Sequence, residues 1–318
     1  MNLLPASIAA VLATALAALL FPSFVADEYR RRGGLRADVA LRRFAVLLYA
    51  IALGCYVLLP ARAGCFAAQL RPLAGLTSAT TLTQFACNIA LFVPLGVLLR
   101  GGARRAAAAG FAVSVLVEVT QLTGLWFAFP CAYRVFDVDD VIANTLGALV
   151  GGLVPRPPVP REQDPVGPRS ITAGRRLLGM CCDGLVLCWL VVICGGLGQF
   201  GWLPAALALL VATLPTGTTL GQQLVLLRAR SPTPATASLR WACGTGGLAV
   251  ALGCGPLVGV PGPVLAALWC GAHATGVICD RDRRGITGRL TRLKLEDMRA
   301  PTPVRSREAG WDPCGTSI

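Results

Sequence analysis

The chain has 318 residues, of which 55% are hydrophobic and only 14% are charged, and its mean hydropathy is +0.65. A water-soluble domain of this length does not need so much apolar surface, so the composition excludes an ordinary soluble protein and places the chain in a membrane. The formal net charge of +13 comes from arginines that cluster in short loops between apolar runs, which is typical of membrane topology and predicts no nucleic-acid partner.

Five apolar runs in the first half of the sequence predict five transmembrane helices. The first run has no basic segment before it and is longer than a signal-peptide core, so we expect a retained helix. Arginines directly after this run mark a cytoplasmic loop, which places the N-terminus on the extracytoplasmic side. The five runs cover residues 3–25, 44–59, 84–99, 106–126 and 138–154. Together they predict a five-helix domain at residues 1–154.

The second half predicts a linker and another membrane domain. Residues 155–169 are rich in proline, so no helix continues through them and we expect a cytoplasmic linker. Residues 170–296 form the predicted second domain. Its apolar runs cover residues 177–197, 202–214 and 244–278. The last run is interrupted by prolines, and the sequence leaves open whether Gly255 to Ile278 forms one span, two spans or a re-entrant hairpin.

The predicted fold is therefore an all-α polytopic integral protein of the cell membrane. We expect about nine spans, five in the first domain and three or four in the second. Residues 297–318 predict a basic, disordered tail, and the charge rule places the C-terminus in the cytoplasm. Membrane lipids are the predicted surroundings, the oligomeric state is open, and the richness in alanine and arginine indicates a bacterial source.

The cysteines and histidine do not indicate a metal site. The 13 cysteines include no Cys-x-x-Cys pair, and His273, the only histidine, lies in an apolar run without a second ligand at metal spacing. We therefore predict no metal and no cofactor. Cys65 and Cys131 both fall in predicted outer loops, and the sequence leaves open whether they form a disulfide.

Polar residues gather near the predicted outer ends of three helices in the first domain. Glu118 and Gln121 are three apart and Asp140 and Asn144 are four apart, so each pair shares a helix face. Burying such groups in a bilayer costs several kcal/mol unless they find partners, which predicts a functional site. The predicted ligand-binding cluster consists of Asn88, Glu118, Gln121, Arg134, Asp137, Asp140 and Asn144.

Purely structural roles are also open for part of this cluster. Asp137 and Asp139 stand where a carboxylate would cap the N-terminus of the fifth helix. Glu118 sits inside a helix, so its structural alternative is a buried ion pair with Arg134 that joins the fourth and fifth helices. The pair and a ligand-binding role are compatible with each other.

The order and spacing of these residues resemble the VanZ family over residues 3–154. The resemblance rests on Asn-Ile-Ala-Leu-Phe-Val-Pro-Leu-Gly at 88–96, on Glu-x-x-Gln at 118–121, and on the run from Arg134 to Gly151. It implies a polytopic membrane protein of poorly defined activity, from a family named for a link to low-level teicoplanin resistance. The positions that match its recurring polar residues are Asn88, Glu118, Gln121, Arg134, Asp140 and Asn144. The small-residue spacing Gly147-x-x-x-Gly151 also predicts close helix packing.

The second half is similar, less closely, to the RDD family of small membrane domains. Arg176 and Asp183 match its opening residues, and residues 218–221 match a loop after the second helix. The sequence departs from that family at Gln222, where lysine is usual, and at Gly288, where an aspartate is expected.

The same residues can be interpreted from their physical chemistry alone. Arg176 is expected to extend its charge to the cytoplasmic interface, whereas Asp183 is deep enough to require a partner. A structural pairing of Asp183 with Arg240 is the favoured alternative, and ion transport is the other. Arg176, Asp183 and Arg240 are therefore the candidate polar residues of this domain.

Three functions are open. The outer cluster and the VanZ resemblance favour a non-enzymatic cell-envelope factor that binds a lipid-linked cell-wall precursor or a lipoglycopeptide of the teicoplanin type, with a role in antibiotic resistance. The first alternative is a transporter of small molecules, protons or sodium that uses Glu118, Asp140 and Asp183. The second is an intramembrane hydrolase or transferase acting on a lipid headgroup, with Glu118 as general base and Arg134 holding an anion. No motif marks a nucleophile, so no catalytic residue is predicted.

Overall fold

The computed structural model of the protein describes residues 3–58, 65–73, 76, 78–99, 101–155, 167–195 and 200–300. Most of the predicted linker and most of the predicted tail lie outside the described residues. The chain divides into two compact units. One consists of Met1–Phe21 and Arg36–Gln163, and the other of Pro22–Leu35 and Asp164–Ile318.

Helices dominate the described part of the first unit. The helices are α1 (Leu3–Arg32), whose last residues belong to the second unit, α2 (Ala37–Leu58), α3 (Ala79–Leu98), α4 (Gly102–Leu122), α5 (Gly124–Phe127) and α6 (Val138–Leu153). Two short strands, β1 (Ala68–Gln69) and β2 (Phe136–Asp137), pair in parallel, with Ala68 opposite Phe136 and Gln69 opposite Asp137.

Small residues let α6 approach its neighbours closely. A methyl group added to Gly147 would collide with the carbonyl oxygen of Ile89 in α3, and one added to Gly151 would collide with that of Val93. On the other side of α6, a methyl group added to Gly152 would collide with the Cβ of Ala106 and the backbone of Ala103 in α4. The predicted packing role of the Gly147-x-x-x-Gly151 spacing is therefore confirmed, because only residues without a side chain allow this approach.

A disulfide fixes the loops that lead into this bundle. Cys65 and Cys131 are bonded, with their Cα atoms 5.3 Å apart, although 66 positions separate them in the sequence. Next to the bond, the N–H of Phe66 donates to the carbonyl oxygen of Ala132 at 3.1 Å. The bridge answers the question that the sequence left open, and it holds β1 beside β2 at the start of α6.

The described part of the second unit consists of shorter elements. Its helices are α7 (Ala173–Ile193), α8 (Trp202–Thr213), α9 (Leu220–Leu224), α10 (Pro234–Trp241), α11 (Gly247–Gly253), α12 (Gly255–Val258), α13 (Gly262–Cys279) and α14 (Gly285–Thr291), with a π-helical segment at Ala242–Gly246. Strands β3 (Leu227–Ala229) and β4 (Leu295–Asp297) form an antiparallel pair. Asp297, the first residue of the predicted tail, lies in β4, so regular structure extends into the range that was predicted to be disordered.

Apolar side chains of α7, α8, α11 and α13 form the core of the second unit. Leu187, Leu209 and Ala249 are fully or almost fully buried there. Two tryptophans pack at the edge of this core, and the indole N–H of each is hydrogen-bonded. The indole N–H of Trp241 donates to the carbonyl oxygen of Ala206 at 2.9 Å, and that of Trp269 to Gly244 at 3.1 Å. Each ring thus packs against apolar groups while its single donor is satisfied.

Six described helices are long and apolar enough to cross a membrane by length and composition. They are Ser7–Arg32, Ala37–Leu58, Ala79–Leu98, Gly102–Leu122, Ala173–Ile193 and Gly262–Cys279. Large apolar side chains such as Val11, Leu41 and Leu268 are exposed on them, as on surfaces that face lipid.

The predicted count of about nine spans is not supported by these helices. The difference lies in α6, α8 and α11, which have 16, 12 and seven residues. A straight span needs about 20 residues. The apolar composition of these segments predicted a crossing by each, but in each segment the helix ends before it is long enough to span.

Candidate functional site

The start of α6 is organised by two aspartates. Asp137 is the residue before the helix, and its Oδ1 accepts a hydrogen bond from the N–H of Asp139 at 2.9 Å, which confirms the capping alternative for Asp137 but not for Asp139. Asp139 is 5% exposed, and its own Oδ1 accepts from the N–H of Leu73 at 2.6 Å. Asp139 therefore ties the loop after β1 to the first turn of α6.

Glu118 reaches the same place from α4. Glu118 is only 2% exposed, and its Oε2 accepts a hydrogen bond from the N–H of Asp137 at 3.1 Å. The alternative of an ion pair between Glu118 and Arg134 is wrong for the described structure, where no such pair forms within 4.0 Å. The guanidinium of Arg134 lies instead over the ring of Tyr56, 4.7 Å from its centre. An N–H at the helix start satisfies the carboxylate in place of the arginine.

Two amide side chains complete the contacts between the helices. Asn88 of α3 donates through Nδ2 to Oδ1 of Asp140 at 2.5 Å. Asn144 donates through Nδ2 to Oγ of Ser114 at 2.8 Å. The Oδ1 atom of Asn144 is buried and has no hydrogen-bond partner in the described part of the chain. This is an acceptor without a donor inside a packed bundle.

The structure thus brings most of the predicted cluster together around α6. Glu118 interacts electrostatically with Asp137, Asp140 and Arg134. Gln121, three residues after Glu118 on α4, is also buried, with 3% of its surface exposed. Carboxylates outnumber the single arginine, so the cluster is rich in hydrogen-bond acceptors and suits a ligand that brings donors.

Ser114, which was not among the predicted residues, is fully buried and accepts the hydrogen bond from Asn144. The signal was present, because Ser114 precedes Glu118 by four positions and therefore lies on the same face of α4. Among the residues that the structure describes, no group of three or more His, Cys, Asp or Glu side chains is arranged to hold a metal ion.

The candidate residues of the second unit adopt other roles than expected. Both oxygens of Asp183 are acceptors, Oδ2 from the Thr219 hydroxyl at 2.6 Å and Oδ1 from the Gly221 N–H at 2.7 Å. The expected pairing of Asp183 with Arg240 is wrong, since no ion pair within 4.0 Å joins them in the described structure. Asp183 instead holds the start of α9, where N–H groups lack partners within the helix. Arg176 does not reach the interface, because it is 3% exposed.

An ion pair that the sequence analysis missed lies elsewhere in the second unit. Nη1 of Arg175 is 2.8 Å from Oδ2 of Asp297, and the side chains are 4% and 2% exposed. Nε and Nη2 of Arg175 donate to the carbonyl oxygens of Val225 and Leu226 at 2.8 and 2.9 Å. The guanidinium of Arg175 also lies over the ring of Tyr29, 5.5 Å from its centre. Burial raises the pKa of Asp297, but the Arg299 N–H and the Arg175 guanidinium outweigh burial and hold that pKa below its ordinary value.

The fold and the cluster define the class of this protein. It is an α-helical membrane protein whose first unit encloses an acceptor-rich polar cluster. Residues 46–156 match the family model described as VanZ/LLP1. The matched segment contains all seven residues of the predicted cluster, and it supports the VanZ-like part of the resemblance. It does not reach residues 170–296, where the RDD resemblance stays a prediction.

No related protein is found beyond this family model. Neither the curated proteins nor the solved structures include a significant match to the chain.

Proposed function

We propose that the first unit binds the polar end of a lipophilic cell-envelope molecule. The ligand class is a lipid-linked cell-wall precursor or a lipoglycopeptide of the teicoplanin type, held without chemical conversion by the cluster around α6. The VanZ/LLP1 match over residues 46–156 supports a VanZ-type membrane protein. Ligand binding and a contribution to antibiotic resistance are the parts that we add.

The observation that carries the proposal is the unpartnered Oδ1 of Asn144. A buried acceptor without a donor is unfavourable by about 1–3 kcal/mol, and a ligand donor would remove that cost. Sugar hydroxyls and peptide N–H groups supply such donors, and both ligand candidates carry many of them. The carboxylates of Glu118 and Asp140 lie in the same cluster and offer further acceptors.

Arg134 supports the choice of an anionic ligand. Its guanidinium lies over Tyr56 and has no acidic partner within 4.0 Å in the described residues. A guanidinium pairs well with the pyrophosphate or carboxylate that wall precursors contain. The acceptors of the cluster and this cation would then engage different groups of one ligand.

The disulfide supports an extracytoplasmic position for the cluster. Disulfides form and persist in oxidising surroundings outside the cytoplasm. Cys65 and Cys131 are bonded in the segments that lead to α3 and α6, close to the start of α6 where Asp137 lies. We therefore place the cluster at the outer leaflet, where wall precursors and glycopeptides meet the membrane, with the N-terminus on the same side.

Transport of protons or sodium has less support from the contacts. A carrier carboxylate has to exchange its partner, yet both oxygens of Asp183 already accept short hydrogen bonds from Thr219 and Gly221. Those bonds fix α9 and suit a structural carboxylate.

Binding to the purified full-length protein in lipid nanodiscs tests the proposal. Wild-type protein should bind a lipid-linked disaccharide-pentapeptide precursor or teicoplanin saturably. Replacing Asn144 with leucine removes the acceptor, and affinity should fall roughly tenfold or more, the equivalent of one buried hydrogen bond. The matched control is Thr145→Val, because the Thr145 hydroxyl donates within its own helix, to the Val141 carbonyl at 2.7 Å. Its affinity should stay within about twofold of wild type.

Two results would end the proposal. One is the absence of saturable binding to either ligand by folded wild-type protein. The other is an Asn144→Leu variant that binds as tightly as the Thr145→Val control. In cells, deletion of the gene should increase sensitivity to teicoplanin, and the Asn144→Leu variant should fail to restore resistance.

A further inference from the structure

The second unit contains a cavity that the proposed function does not use. It has a volume of about 60 Å³ and lies among α7, α10, the π-helical segment, α13 and α14. A water-sized group needs roughly 10–15 Å³ of such space, so the cavity has room for about four to six of them. Apolar side chains, including Leu248, Trp269 and Val277, form most of its wall. The rest of the wall is polar.

Two arginines line this cavity, and most of their donors are unused. Arg240 is 1% exposed and Arg176 is 3% exposed. Nε, Nη1 and Nη2 of Arg240 and Nε and Nη1 of Arg176 are buried and have no hydrogen-bond partner among the described residues. Nη2 of Arg176 donates to the carbonyl oxygen of Arg284 at 3.1 Å. The buried hydroxyl of Thr245, another lining residue, has no partner either.

The positive charge of the cavity is not balanced by its own wall. Among the described residues that line the cavity, Asp183 is the single acidic one, against two arginines, and its two oxygens already accept from Thr219 and Gly221. Arginine stays protonated in proteins, so one positive charge is left without compensation. A buried cation with unused donors is unfavourable unless an anion accompanies it.

We propose that this cavity binds a phosphate group, either as free inorganic phosphate or as the headgroup of an anionic phospholipid. Guanidinium groups present planar pairs of N–H donors that match two oxygens of a phosphate. Arg176 and Arg240 supply these pairs from two different elements, and Thr245 adds a hydroxyl. The bound charge compensates the excess positive charge of the wall. All contributing residues belong to the second unit, so the site is independent of the cluster around α6.

Titration of the full-length protein, purified in detergent and phosphate-free buffer, tests this site. The probes are sodium phosphate, dioctanoyl phosphatidylglycerol, and dioctanoylglycerol, which has the same chains without phosphate. The readouts are the midpoint of thermal unfolding and the binding isotherm. Wild-type protein should be stabilised saturably by at least one phosphate probe and not by dioctanoylglycerol. Binding of phosphate alone supports a free anion, and binding of the phospholipid alone supports a headgroup site. No saturable effect of either overturns the proposal.

A substitution of Arg240 separates the site from general stability. Arg240→Met removes the unpartnered cation, so it should raise the unfolding midpoint in phosphate-free buffer and lower the affinity for the phosphate probe roughly tenfold or more. The control Arg289→Met removes the same charge from a side chain that is 66% exposed and does not line the cavity, and it should keep wild-type affinity.

A milder variant covers the case in which Arg240→Met does not fold. Thr245→Val keeps the shape of the side chain and removes one donor, so affinity should fall roughly fivefold with little change in the unfolding midpoint without phosphate. Wild-type affinity in a folded Arg240→Met protein would contradict the assignment, and so would wild-type affinity in Thr245→Val if Arg240→Met does not fold.

Discussion

Replacing Asp297 with asparagine tests how the second unit is held together. The ion pair between Arg175 and Asp297 is 2.8 Å long, and both side chains are almost fully buried. Asparagine keeps the shape of the side chain and one oxygen, but it leaves the Arg175 charge buried without a counter-charge. Breaking a buried pair from one side costs about 3–5 kcal/mol. We expect the lower end, about 3 kcal/mol, because Arg175 keeps its bonds to the carbonyl oxygens of Val225 and Leu226.

The assay is equilibrium unfolding of the purified protein in detergent at neutral pH. A loss of about 3 kcal/mol lowers the folding equilibrium constant roughly 100-fold. The neighbouring variant Glu296→Gln is the matched control. Its carboxylate lies 3.5 Å from Arg230 and 4.0 Å from Arg228 and is 24% exposed, so it should cost less than about 1 kcal/mol. Equal stability of the two variants would refute the reasoning.

The pH dependence of this difference has a definite sign. The folded-state pKa of Asp297 lies below its ordinary value, so the folded protein favours the charged carboxylate. The stabilisation by the pair is therefore fully present above the unfolded-state pKa of about 3.9, and it is lost as pH falls through the folded-state pKa. The free energies of unfolding of wild type and Asp297→Asn should accordingly begin to converge as pH falls below about 4. A gap that stays constant down to the acid transition would argue against an ionic contribution.

Two further substitutions test the first unit. Gly147→Ala places a methyl group against the carbonyl oxygen of Ile89, and overpacking of this kind should destabilise the protein by about 1–3 kcal/mol, measured by thermal unfolding. Gly54→Ala in α2 is its control, since nothing lies within 4 Å of the added methyl, and a destabilised control would contradict the packing argument. Asp137→Ala removes the acceptor for the Asp139 N–H and should cost about 1 kcal/mol, whereas Asp137→Asn should retain most of the stability. Equal losses in these two variants would show that capping is not the role of Asp137.

Features with a local or periodic cause could be predicted from the sequence. The carboxylate of Asp137 stands directly before the run that forms α6, so its capping role follows from position. The spacing of Glu118 and Gln121 places both on one face of α4, and the structure buries both. The spacing of the small residues Gly147 and Gly151 likewise predicts close helix packing. Each of these inferences needs only neighbours within four positions.

Features that depend on distant partners could not be predicted. Arg175 and Asp297 are separated by 122 positions, and nothing in the sequence around either residue identifies the other. The prediction of about nine spans was not supported for a related reason. Mean apolar content suggested crossings at α8 and at α11, whereas the length of a helix is decided by where its backbone breaks. The left-handed Gly259 after α12 is one such break.

One physical rule explains why the expected partners of Glu118 and Asp183 were wrong. An arginine partner was one alternative for Glu118 and the favoured one for Asp183. Each carboxylate instead accepts an N–H at the start of a helix, from Asp137 before α6 and from Gly221 in α9. Such N–H groups have no partner within the helix and lie at the positive end of its dipole. They satisfy a carboxylate without burying a second full charge, which is the costly part of an internal ion pair. The consequence is that Arg134 in the first unit and Arg176 and Arg240 in the second have no acidic side chain within 4.0 Å among the described residues. These cations support the first ligand proposal and carry the second.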